Sequence, residues 1–230
     1  MTALGNTLRE FKNLQNLSIW DDIIIGNQGA ISLIYAISEC TNLSSLTMVL
    51  NFKNQLNEND AVFSQLGKLK NLKNLKLFLV YFYNLKQHLI IKKFYQISYL
   101  YLNLYKNKIR KGFPLIHKYL EQINLLEKLD LIFSQQNQLD LENESLLNFG
   151  DSLEKCSNLK YLTLFFQNFN YNIDYQSFKV LAQELAQIQH LIVLNITMEN
   201  TKKRKVSLKK YFIRKNKRLI KLYIGSIFSY

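Results

Sequence analysis

Eight times along these 230 residues one short phrase returns: an aliphatic residue, two others, an aliphatic, one other, an aliphatic. Its copies are Leu14/Leu17/Ile19, Leu43/Leu46/Met48, Leu72/Leu75/Leu77, Ile97/Leu100/Leu102, Leu126/Leu129/Leu131, Leu159/Leu162/Leu164, Leu191/Leu194/Ile196 and Leu219/Leu222/Ile224. Successive first anchors lie 29, 29, 25, 29, 33, 32 and 28 residues apart. A period of that size confines the chain to an array in which no unit can bury its apolar face alone and each must stack on its neighbours.

The repeat extends beyond the phrase itself. Three residues before each first anchor stand Phe11, Cys40, Leu69, Phe94, Ile123, Cys156, Ile188 and Asn216, apolar in all copies but the last. Three further back stand Leu8, Ile37, Leu66, Ile91, Leu120, Leu153, Leu185 and Ile213. The i, i+3 spacing is one face of a helix, whereas the alternation in Leu17-x-Ile19 and its copies has the two-residue period of a strand. Each unit is therefore predicted to be one short strand and one helix.

The best-kept phrases are Cys40-Thr41-Asn42-Leu43-Ser44-Ser45-Leu46, Cys156-Ser157-Asn158-Leu159-Lys160-Tyr161-Leu162 and the run Ile25-Gly26-Asn27-Gln28-Gly29-Ala30-Ile31-Ser32-Leu33. With the period above, they resemble the ribonuclease-inhibitor-like class of leucine-rich repeats, in the divergent form of protist-type arrays. The resemblance covers essentially the whole chain. It implies an α/β fold, a right-handed solenoid or horseshoe of about eight repeats with a parallel sheet on the concave side and helices on the convex side. It also implies a non-catalytic protein-binding scaffold, a role that the class fills for many unrelated partners.

Length and composition agree with a single domain over 1–230. Hydrophobic residues make up 48% of the chain, and Gly and Pro together number eight, so no linker is visible. No stretch approaches ~18 apolar residues without charge, as a membrane span requires. The first residues, Met1-Thr2-Ala3-Leu4-Gly5-Asn6, lack the charged and apolar regions of a secretory signal, so the expected location is intracellular, cytoplasmic or nuclear.

Reactive chemistry is sparse. Cys40 and Cys156 both fall in the column otherwise filled by Phe, Leu and Ile, where small buried hydrophobes are expected, and several repeats between them forbid a bridge. His88, His117 and His190 sit in different repeats with no carboxylate or thiol at ligand spacing. No nucleophile elbow, phosphate-cradling glycine loop or zinc-protease signature occurs. The chain is expected to be no enzyme and to take no metal or cofactor.

Charge falls in blocks. The net balance is −3 over residues 1–60, +12 over 61–120, −7 over 121–201 and +11 over 202–230. In a solenoid such blocks become slabs. The run Lys202-Lys203-Arg204-Lys205 has the composition of a nuclear-import signal or a nucleic-acid patch. Equally, Arg214, Lys215, Lys217, Arg218 and Lys221 surround the last strand, where charge discourages edge-to-edge aggregation.

If the anchors point inward, the residues between them line the concave sheet surface. One row reads Trp20, Val49, Phe78, Asn103, Ile132, Phe165, Thr197, Gly225, and its neighbours supply Tyr99, Tyr101, Tyr105, Tyr161 and Tyr223. Aromatic side chains carry most interface hot spots, although parallel sheets favour such residues for structural reasons too. Trp20, Phe78, Tyr99, Tyr101, Tyr105, Ile132, Tyr161 and Phe165 are the candidate partner-binding residues. The alternative is capture of an anionic partner, nucleic acid or acidic protein, by the basic slabs at 61–120 and 202–221.

Overall fold

The computed structural model describes residues 2–20, 27–51, 64–80, 94–104, 116, 120–134, 143–167, 175–198, 212 and 215–225. Eight strands run along it: β1 (Asn16–Ile19), β2 (Ser45–Asn51), β3 (Asn74–Val80), β4 (Tyr99–Leu104), β5 (Lys128–Ser134), β6 (Tyr161–Gln167), β7 (Val193–Met198) and β8 (Lys221–Gly225). They form one sheet in sequence order, each parallel to the next. Between them the described helices are α1 (Thr2–Glu10), α2 (Asn27–Glu39), α3 (Asn143–Lys155) and α4 (Tyr175–Gln187), with a 3-10 turn at Gln65–Lys68 in the third unit. This is an α/β leucine-rich-repeat solenoid.

Register follows the repeat. Leu17, Leu46, Leu75, Leu100, Leu129, Leu162, Leu194 and Leu222 stand side by side across all eight strands, and their third-anchor partners do the same. These columns join Leu33, Ile37, Leu153 and Leu185 of the helices in one continuous core. Alternation carries the inward set one step past the repeated phrase, to Leu50, Leu79, Leu104, Phe133 and Phe166, all buried. Phe133 and Phe166 stack there at 5.5 Å between centroids. At the two outer strands the anchors Leu14, Leu17, Ile19, Leu219, Leu222 and Ile224 are only partly buried.

Three sets of hydrogen bonds lock each unit to the one before. At every strand junction one carbonyl accepts two successive N–H groups; the Gln15 carbonyl, for instance, takes Ser44 at 2.8 Å and Ser45 at 3.0 Å. One residue before the first anchor, a side-chain amide donates to the backbone of the preceding unit: Asn42 to Lys12, Asn71 to Thr41, Gln96 to Leu69 and Asn158 to Asn124, at 2.7–3.1 Å. His190 occupies the same column against the Leu153 and Cys156 backbone, which leaves its Nε2 buried without a partner.

The third set lies in the cysteine column. Cys40 Sγ donates to the Leu8 carbonyl at 3.4 Å, Cys156 Sγ to that of Leu120 at 3.3 Å, and Asn216 Nδ2 to that of Ile188 at 2.8 Å. Asn216, the apolar column's exception, is therefore buried and satisfied. Phe11 is 52% exposed, because no described unit precedes it to cover its ring.

Candidate interaction surface on the sheet

Because strand residues alternate, the outward positions form three rows across the sheet. The first row is Asn16, Ser45, Asn74, Tyr99, Lys128, Tyr161, Val193 and Lys221; the second is Ser18, Thr47, Lys76, Tyr101, Asp130, Thr163, Asn195 and Tyr223. The third runs Val49, Phe78, Asn103, Ile132, Phe165, Thr197 and Gly225, with Trp20 just past the end of β1.

Three predicted residues meet in one aromatic ridge. The Trp20 and Phe78 ring centroids lie 5.1 Å apart and tilted, and Phe78 in turn lies 4.8 Å from Tyr101. Adjacent strands are about 4.8 Å apart, so Trp20 and Phe78, two strands distant, meet by closing over the small Val49 between them. Val49 is buried beneath. Trp20 keeps 66% of its surface exposed, a large share for the largest apolar side chain. Tilted rings at these separations attract one another through their quadrupoles, which holds the ridge in shape.

Beside the ridge stands a polar cluster. The Tyr99 hydroxyl donates to Asp130 Oδ2 at 2.7 Å, and Lys128 Nζ reaches the same oxygen at 3.4 Å while lying 4.4 Å from the Tyr99 ring centroid. Lys76 Nζ approaches that ring from the neighbouring strand at 5.5 Å. Burial, then the hydrogen bond to Asp130 and its charge, push the Tyr99 hydroxyl well above its ordinary value. Tyr101 is raised for the same first reason, with a hydrogen bond to Asn103 opposing. Asp130 retains only 8% exposure, so its charge faces Tyr99 and Lys128 rather than solvent.

The remaining candidates are more dispersed. Ile132 and Phe165 are register neighbours on β5 and β6, both partly exposed, and Tyr161 on β6 is 41% exposed. Tyr105 and the run Lys202, Lys203, Arg204 and Lys205 lie outside the described residues. Of the second basic slab, Lys215, Lys217, Arg218 and Lys221 are exposed around β8. Sequence reasoning missed Lys76, Lys128 and Asp130. Their signal was present: they occupy the same outward positions as the tyrosines, and Asp130 is the one carboxylate in the three rows.

Among the described residues no three His, Cys, Asp or Glu side chains are grouped to hold a metal, and no helix is long and apolar enough to cross a membrane. What the surface offers chemically is apolar area, aromatic faces and a few placed charges.

No protein-family model matches the sequence, and no curated protein does. Among solved structures, a crystal structure of an internalin from Listeria monocytogenes aligns over 97% of this chain and 89% of its own, at 12% identity and a TM-score of 0.28. The fold assignment rests instead on the chain's own strand order and register. Those define a leucine-rich-repeat solenoid.

Proposed function

We propose that this protein is a non-catalytic scaffold that binds another protein on the outward face of its sheet. The observation that carries the reading is the Trp20–Phe78–Tyr101 ridge, an apolar feature on a regular sheet face with Trp20 largely open to solvent and Phe78 and Tyr101 partly so. Aromatic anchors of this kind supply large contact area with few rotatable bonds, which is why they dominate binding energy at protein interfaces. Ile132, Phe165 and Tyr161 extend the same face toward β6. The ribonuclease-inhibitor-like subtype belongs to this reading as well.

Affinity capture at two salt concentrations tests it. A partner seated on the ridge stays bound between ~50 and ~200 mM salt and is lost on Trp20→Ala with Phe78→Ala, because the contact is apolar. The alternative, an anionic partner held by the slabs at 61–120 and 202–221, draws on the exposed cations around β8. It requires affinity that falls steeply over that salt range and ignores the aromatic changes. Binding of duplex DNA or single-stranded RNA with that profile would replace the first reading.

A further inference from the structure

Like Lys221 on the outer strand, Lys76 on this face has no carboxylate partner among the described residues. Lys128, which approaches the Tyr99 ring from β5, is engaged with Asp130. Lys76, by contrast, has that same ring at 5.5 Å as its recorded contact. In register it stands between Thr47 and Tyr101, and two residues along its own strand is Phe78, the middle of the ridge. A partly exposed lysine is thereby set against an aromatic ring, beside apolar surface and without a carboxylate partner among the described residues.

We propose that the partner's docking segment presents a carboxylate to Lys76 and a large apolar side chain to the Trp20–Phe78–Tyr101 ridge. This rests on the reading of the sheet face as the binding surface. Residues two apart on one strand are about 6.6–6.8 Å apart, so the two ligand groups must be similarly spaced. That distance suits i and i+2 of an extended segment, or i and i+3 or i+4 of a helix. Charge agrees: the three outward rows carry Lys76, Lys128 and Lys221 against the single, recessed Asp130. A contact closed over by apolar side chains strengthens the ion pair, since water is excluded around it. Nucleic acid fits less well. It needs a continuous track of cations along its backbone, and here the ring faces are partly spent on one another.

The test uses the full chain and short synthetic peptides of three compositions: Leu with Glu, Leu with Gln, and Ser with Glu. The Leu/Glu peptide is expected to bind at least tenfold more tightly than either of the others. Lys76→Gln should erase its advantage over Leu/Gln, and Trp20→Ala with Phe78→Ala should erase its advantage over Ser/Glu. An unchanged melting temperature for Lys76→Gln shows that folding is intact. Equal binding of Ser/Glu and Leu/Glu, an undiminished Glu preference in Lys76→Gln, absence of binding, or tighter binding of single-stranded RNA each overturns the inference. If a partner captured from cells is lost with the aromatic changes but retained by Lys76→Gln, the carboxylate inference fails while the face itself stands.

Discussion

His190 shows how much one side chain can depart from a repeating role. The amides at its column elsewhere donate to the previous unit's backbone, whereas imidazole reaches that backbone with one nitrogen and buries the other unpaired. Burial chiefly lowers its pKa below 6.5, against opposing contributions from the Leu153 and Cys156 carbonyls and Glu154. The unfolded chain therefore takes up this proton at higher pH than the folded one. Stability is complete above the unfolded value and declines as pH falls from about 7 through that value toward the lowered one. His190→Asn, which restores the ladder residue, should flatten this decline in melting curves taken between about pH 7.5 and 5. A variant with unchanged pH dependence would assign it to other groups. The cysteines give a second residue-scale prediction. Burial, with Glu121 nearby, pushes Cys156 up to about 12, and Cys40 is raised chiefly by burial, so neither presents a thiolate at neutral pH. Alkylation should be slow in native buffer and fast in denaturant, by mass spectrometry; rapid native labelling would contradict their inward placement.

At the scale of elements, α3 and α4 approach through Gly150. A Cβ there would overlap the Cβ of Glu184, an atom fixed to the α4 backbone, so the helices would have to part. Gly150→Ala gains about 1 kcal/mol in helix propensity yet should lose about 1–3 kcal/mol by overpacking. Gly5→Ala in α1 is the control, since its Cβ would meet Ser32 O at 3.4 Å and Ala36 Cβ at 3.5 Å, ordinary contacts. It should stabilise by about 0.5–1 kcal/mol, and urea melts that rank the two alike would refute the α3–α4 packing. Glu184 also reports on this pair. Burial first, then Asp151 and Glu154 across the contact, raise its pKa from 4.5. The folded state thus holds this proton more tightly than the unfolded one, and stability falls as pH rises from the ordinary carboxylate range through the raised value. Glu184→Gln should accordingly raise the melting temperature at pH ~7 and change it little at pH ~4.

Over the whole molecule, stability is a chain of nearest-neighbour interfaces, with the anchor columns as its continuous element. Leu100 lies near the middle, fully buried between Leu75 and Leu129. Leu100→Asp places an unpaired charge among those columns and should abolish cooperative unfolding, while Asn103→Asp, outward on the same strand, should leave the transition cooperative with a higher midpoint. Equal midpoints by circular dichroism would sink the inward and outward assignment.

The eight-unit array, the parallel register and the inward set were legible in the sequence, because stacked units must repeat their apolar columns and alternation then dictates each strand's two faces. Leu17 through Leu222 align as their spacing predicts. The outward rows were legible as lists, including most of the candidate binding residues. Which of those residues meet was decided only in three dimensions. Trp20 reaches Phe78 because Val49 is small, Asp130 is buried on the outward face where Tyr99 and Lys128 converge on one of its oxygens, and Lys76 is left with the Tyr99 ring and no carboxylate partner among the described residues. Apart from Lys128–Asp130, which lie two positions apart on β5, these contacts join side chains from separate repeats, tens of residues apart. Periodicity along the chain carries the positions of such side chains, and their tilt, partners and charge balance arise from packing across the strands.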